Sequence, residues 1–248
     1  MVLGLAYAGI HVIATVARER REVEGVARES EQNKAAGAVL PLLADVTRAS
    51  DCQMVVDSAI QRFGRLDILV NNAGRGMKYV SSSFLREPTR FWEISPETWR
   101  QIVDTNVNGP FLMARSVVPM MIRAGWGRII NISINRETMR RRGFSPYGPS
   151  KAALESETII WAQELAGTGV TVNALLPGGA TRTGMVPDAV SDEVRSRLLD
   201  PEVMVPPLLW LISEDAGQMT GRRIVANRWR SDLSNREATE AAAEPTVL

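Results

Sequence analysis

Short continuous apolar runs alternate along this chain with longer segments whose apolar positions recur every three or four residues. The short runs predict strands at Val12–Thr15, Ala38–Ala44, Leu66–Val70, Gly127–Ile132, Val170–Leu176 and Arg223–Ala226. The longer segments predict helices at Arg18–Ala35, Arg48–Phe63, Pro96–Arg123, Pro146–Ala166 and Glu202–Ile212. Ser95 before Pro96 is an N-cap followed by proline at the first helical position, and Gly167 and Gly169 close the helix that ends near Ala166. The opening run, Met1 to Ala17, admits a signal peptide or short anchor. It lacks a positive leading region and is too short to span a bilayer comfortably. A short buried helix, a glycine turn and a buried strand fit it better.

Strands apolar throughout, alternating with helices, predict an α/β fold: a doubly wound, Rossmann-like parallel sheet with helices on both faces. One domain over residues 1–230 is expected, followed by a polar tail, 231–248, without a core face of its own. In such sheets ligands sit beyond the carboxyl ends of the strands. Asp45, Asn71 to Gly74, Ser133 and Pro177 to Thr183 occupy those ends. Each alone is an ordinary turn residue; their succession at strand after strand marks a site.

Composition narrows the chemistry. The chain has 248 residues, 45% of them hydrophobic, enough for one large core. A net charge of +1 gives no reason to expect nucleic acid or a polyanion as partner. Cys52 is the only cysteine and His11 the only histidine. No internal disulfide can form, a reducing cytoplasmic setting is expected, and no metal site is expected. Proton transfer therefore falls to another side chain.

Tyr147-Gly148-Pro149-Ser150-Lys151 supplies that candidate. Tyrosine and lysine four apart lie on one helix face. A phenol ionises near pH 10, and a neighbouring ammonium favours the phenolate. The pair suits proton exchange with an alcohol oxygen. Around it stand Asn71-Asn72-Ala73-Gly74 after a strand, Asn106-Val107-Asn108-Gly109 inside the long helix, GRIINIS ending at Ser133, and VTVNALLPG ending at Gly178. In this order the segments resemble the short-chain dehydrogenase/reductase family over about residues 1–226.

The resemblance implies an NAD(P)-dependent oxidoreductase passing hydride between a nicotinamide cofactor and a ketone or secondary alcohol. Tyr147 would be the general acid–base. Lys151 would hold the nicotinamide ribose and depress the tyrosine pKa. Asn106 would kink the long helix and anchor a water leading to Lys151. Asp45 and Val46 would meet the adenine, and Asn72, Ala73 and Gly74 would line the adenosine ribose. Pro177, Gly178, Ala180 and Thr181 would pack on the nicotinamide. A small-molecule substrate is implied, with neither nucleic acid nor membrane as partner. Apolar residues beyond one stripe on the two long helices (Phe111, Val117, Met120, Ile159 and Trp161) point with the resemblance to a homodimer or homotetramer.

The sequence departs from the family pattern in two places. An ungapped alignment on Tyr147 puts Ile134 where the family has its catalytic serine. Ser133 is the nearest serine, one residue early, and Asn135 offers another polar group. The family also opens with a strand and a Gly-rich turn, T-G-x-x-x-G-x-G, whose amides hold a pyrophosphate at a helix N-terminus. Neither is present after Met1. The preferred reading is a true start upstream; the alternative is a shortened relative. Either way the strands at Val12–Thr15 and Leu66–Val70 are expected to lack their shared neighbour. No acid follows the Val12–Thr15 strand, and Arg18 could reach a 2′-phosphate, so NADP is preferred to NAD. A non-catalytic binding or scaffold protein that has lost the dinucleotide is the alternative function. Arg140, Arg141 and Arg142 precede Tyr147, but nothing in the sequence selects a substrate.

Overall fold

The computed structural model describes residues 1–187 and 190–245. Its elements run α1 (Val2–Tyr7), β1 (Val12–Val16), α2 (Arg20–Gln32), β2 (Val39–Leu43), α3 (Ala49–Phe63), β3 (Ile68–Asn71) and α4 (Pro96–Val103). Then follow α5 (Gly109–Ala124), β4 (Gly127–Ile132), α6 (Arg136–Met139), α7 (Tyr147–Glu164) and β5 (Val170–Leu176). The chain closes with α8 (Asp192–Ser196), α9 (Val205–Leu211), β6 (Arg223–Val225), α10 (Asn235–Ala242) and β7 (Ala243–Glu244). The expected α/β architecture is present. At the amino end α1, a turn at Gly9 with φ +84° and β1 realise the helix–turn–strand reading. No described helix is long and apolar enough to cross a membrane.

The strands form two sheets. β3-β4-β5-β6 are parallel neighbours, with β7 antiparallel on the edge at β6. β1 and β2 make a separate parallel pair, in register from Val12 opposite Val39 to Val16 opposite Leu43. Among the described residues β1 and β3 share no strand between them, as the sequence led us to expect. Two apolar clusters cover the sheets. One holds Val55, Val117, Met121, Ile129 and Val172, with Ile13 and Leu42 packed against it. The other holds Leu5, Ile130, Leu175, Leu208 and Ile224, with Val12, Ile68 and Val70 against it.

Two expectations change. The helix predicted over Pro96–Arg123 is broken by a π-turn at Asp104–Asn108, which makes α4 and α5 separate elements. The segment after Ser231 does have a core face. α10 begins at a capping box between Ser234 and Glu237 and buries Ala238, Thr239 and Ala242. Glu244 of β7 then pairs with Arg223 and Arg228. Only three residues of α10 need to be buried to hold it, too few for a hydrophobic period to show in a polar tail.

Candidate active site

The carboxyl ends of β2, β3, β4 and β5 each contribute to one region. After β2, the backbone N–H and the hydroxyl of Thr47 both donate to the Asp45 carboxylate (3.0 and 2.7 Å). Burial pushes the Asp45 pKa up, but those hydrogen bonds, with Arg48 and Arg75 nearby, outweigh it and hold the carboxyl below its ordinary range. Val46 is half-buried, and a Cβ on Gly109 would meet its side chain at 2.8 Å, so only glycine lets α5 start there. Beyond β3, Asn72 and Ala73 are exposed and Gly74 half-buried. Asn71 is buried and donates to Asn131 (2.8 Å), which donates to Thr158 of α7 (2.8 Å). This chain of amides locks β3, β4 and α7 together.

The π-turn is where Asn106 sits, fully buried. Its side-chain oxygen accepts from the Arg75 N–H (2.8 Å), and its amide donates to the Arg75 carbonyl (3.0 Å) and to the Ser150 hydroxyl (2.9 Å). Ser150 in turn donates to the Tyr147 carbonyl (2.7 Å). The kink therefore ties the β3 loop to the first turn of the tyrosine helix. The side-chain polar groups of Asn106 thus go to Arg75 and Ser150.

Tyr147 opens α7 and is half-buried. Burial raises its pKa to about 12. The Lys151 ammonium, expected to depress it, donates to the Ile132 carbonyl (2.7 Å). Burial lowers Lys151 to about 8, opposed by the carboxylate of Glu155. Glu155, one turn further along α7, also accepts from the Ser133 hydroxyl and pairs with Arg223. Ser133 is buried, with its hydroxyl in this ion-pair network, so the structure does not bring it to the phenol. One residue in a strand reverses the face, and Ser133 keeps the inward one. Asn135 is not free either: its amide donates to the Gly178 carbonyl (3.1 Å) and links the loops after β4 and β5.

After β5, Pro177 and Gly178 are half-buried and Ala180 is exposed. Gly178 has φ +89°, and a Cβ there would lie 2.0 Å from Asn227, so the turn requires glycine. Thr181 bridges to Leu199. Arg18 is exposed just beyond β1. Sequence reasoning passed over Glu155, Arg75 and Ser150. Glu155 was visible as the next i, i+4 position after Lys151; Arg75 holds Asn106 through its backbone, which no residue type signals, while its side chain donates to Thr105 (3.1 Å).

The residues present match part of a dinucleotide site. Asp45, Val46 and Asn72 to Gly74 follow β2 and β3, Pro177 to Thr181 follow β5, and Tyr147 and Lys151 lie in the first turns of α7. For the pyrophosphate the described residues supply no glycine turn ahead of α1, whose N-cap Met1 makes no side-chain hydrogen bond.

Comparison with known proteins agrees with the geometry. The model of the short chain dehydrogenase family matches residues 1–194. A 3-oxoacyl-(acyl-carrier-protein) reductase of Thermotoga maritima is 31% identical over 195 residues, 76% of this chain and 75% of that protein. Glucose 1-dehydrogenase 2 of Bacillus subtilis is 30% identical, over 75% of this chain and 72% of its own length. A solved structure from Bacillus thuringiensis, assigned as a 3-oxoacyl-reductase, superposes with a TM-score of 0.71 at 25% identity, covering 88% of this chain and 86% of that one.

Proposed function

The chain belongs to the short-chain dehydrogenase family, and from that premise we propose that it catalyses proton transfer through Tyr147 in the interconversion of a ketone and a secondary alcohol. The observation that supports this reading is the Asn106–Ser150–Tyr147 chain, which ties the backbone of the turn that carries the tyrosine to the π-turn. A nicotinamide cofactor, when bound, supplies or accepts the hydride. The rest is done by side chains of this protein. A phenol held near 12 stays protonated at neutral pH, the form that donates to a carbonyl oxygen. Lys151, lowered to about 8, is mostly charged at pH 7 and able to hold a ribose hydroxyl. Asp45, Val46, Asn72, Ala73 and Gly74 would hold the adenosine end; Pro177, Gly178, Ala180 and Thr181 the nicotinamide end. Arg18, exposed and without an acidic residue at the end of β1, favours NADP over NAD.

Ser133 and Asn135 are both engaged elsewhere, which supports a substrate oxygen polarised by Tyr147 with no serine partner. The same observation favours the second reading, a non-catalytic relative. Turnover of a carbonyl substrate with NADPH separates the two. Tyr147→Phe should lower that turnover by a factor of about a hundred or more while leaving the melting temperature in place. Parent and variant differing by only a few-fold, or a parent with no turnover under saturating cofactor, would reject the catalytic reading.

Assembly follows from surface positions. Of the residues singled out in the sequence, Val117 is buried in the core, Met120 and Trp161 pack against it, and Phe111 is exposed at 48%. Ile122 and Ile160, exposed at 44% and 49%, join Phe111 on α5 and α7. These faces suit a second subunit, and light scattering at micromolar concentration should show a homodimer or homotetramer; a monomer would contradict it.

A further inference from the structure

Three successive residues at the end of β4 are held by three different ionic side chains. The Ile132 carbonyl accepts from the Lys151 ammonium (2.7 Å), the Ser133 hydroxyl donates to Glu155, and the Ile134 carbonyl accepts from Nη2 of Arg223 (2.9 Å). Lys151 and Glu155 stand one turn apart on α7, and Arg223 opens β6. Arg223 also donates through Nη1 to Glu155 and through Nε to Glu244 of β7 (2.9 Å). The guanidinium thus joins the end of β4, α7 and β7 with a separate nitrogen for each, which the single ammonium of a lysine could not do.

Sheet register brings Glu244 there. β7 runs antiparallel to β6 with Glu244 opposite Arg223 and Ala243 opposite Ile224, and opposite charges on directly facing residues attract. The second Glu244 oxygen pairs with Arg228 (2.7 Å), and the charge of Arg136 in α6 also acts on Glu244. Charge balance shows what β7 adds. Lys151, Glu155 and Arg223 are all buried, two cations and one anion. Glu155 alone would have to answer both cations, besides Ser133; Glu244 supplies the second anion. Tyr147, one turn before Lys151, stays uncharged at neutral pH. An unbalanced cation in such a cluster repels its neighbour strongly, because little water screens it.

We propose that Glu155, Arg223 and Glu244 are positioning residues for Lys151: β7 neutralises Arg223, which leaves the charge of Glu155 to stabilise the Lys151 ammonium at the end of β4. The segment after Ser231 is then part of the active site, although it lies far along the chain from Tyr147 and Lys151 and its own residues reach neither. What Lys151 does for a cofactor rests on the oxidoreductase reading; the placement of its charge does not.

The test is a titration of Lys151 itself, without cofactor. The lysines of this chain are Lys34, Lys78 and Lys151. In the 248-residue chain made with lysine isotopically labelled at Cε, the Lys151 resonance is assigned by its loss in Lys151→Met. Its midpoint by NMR should lie near 8 in the parent. Glu155→Gln should lower that midpoint by about one pH unit or more, and Glu244→Gln by about half a pH unit. Glu240→Gln removes an exposed carboxylate, paired with Arg236, from the same tail and should leave the midpoint in place. If Glu155→Gln does not fold, Glu244→Gln decides alone, since Glu244 lies in the edge strand. A β7 that served stability only would lower the melting temperature of Glu244→Gln without moving Lys151. That outcome, or an equal shift in Glu240→Gln, overturns the proposal. Where the chain turns over, its KM for NADPH should begin to rise at a pH about half a unit lower in Glu244→Gln. A parent without turnover would reject the oxidoreductase reading and leave the NMR result to decide this one.

Discussion

β5 and β1 are both apolar parallel strands, yet β5 is buried along all seven residues and β1 only at Ala14. β4, like β5, is buried at nearly every position; β2 is half-buried at four positions and exposed at Leu43. Composition does not separate them: Val-Ile-Ala-Thr-Val and Val-Thr-Val-Asn-Ala-Leu-Leu differ little in apolar character. Neighbours do. β5 has a strand on each side and helices over both faces, whereas β1 has β2 on one side and a cavity on the other. Burial in a parallel sheet is a property of the assembled layer. The residues proposed for catalysis and cofactor binding follow the same division. Tyr147, Lys151 and Asn106 belong to the well-packed half; the adenosine positions Asp45 and Val46 belong to the half beside the gap.

The largest test of this division is cofactor affinity. The 248-residue chain should bind NADPH two to four powers of ten more weakly than the same chain fused behind a strand and a Gly-rich turn. Two charge-assisted hydrogen bonds to phosphate, at about 1.5–3 kcal/mol each, account for that range. Calorimetric titration of both proteins decides it; micromolar affinity in the unfused chain would show that the present strand ends suffice.

Side-chain truncation sharpens the comparison next. Leu175 in β5 is fully buried, and Leu175→Ala should cost about 2–5 kcal/mol of unfolding free energy. Leu40 in β2 is half-buried, and Leu40→Ala should cost about 1 kcal/mol. Equal costs by chemical denaturation would show that the β1–β2 half packs as firmly as the other.

The smallest effect is a pH dependence. The folded-state pKa of Lys151, about 8, lies below its unfolded value of 10.5, so between these the unfolded chain binds more protons. Stability should therefore rise as pH goes from about 8 to 10, by no more than roughly 3 kcal/mol, with no slope from this group below about 8. Tyr147, raised to about 12, acts in the opposite sense only above pH 10. Glu157, pushed up to about 7 by burial, destabilises with rising pH only below 7 and leaves the window alone. Lys151→Met should flatten the slope; an unchanged slope would assign it to another group.

Much of this was legible beforehand, and the failures have physical causes. The ends of β4 and β5 agree with their apolar runs because those strands are buried on both faces, so no polar residue blurs the boundary. The kink that the family resemblance implies at Asn106 leaves no break in the apolar period, since Asp104 to Asn108 remain helical in period while one extra residue enters the turn. The direction of the Tyr147 pKa could not be read from the i, i+4 spacing. Spacing places Lys151 on the same face, but it does not reveal that the ammonium is spent on Ile132.

The sequence by itself determined the alternation of strands and helices, the family, and the spacing of Tyr147 and Lys151 by one turn of α7. These are local patterns or matters of chain order, fixed by the period of apolar residues and by which motifs follow which. Tertiary structure alone decided where buried polar groups spend their hydrogen bonds. Ser133 went to Glu155, Asn106 to Arg75 and Ser150, and the polar tail to Arg223. A buried donor or acceptor takes whichever partner the packed layers bring within about 3 Å, and that partner can lie anywhere along the chain.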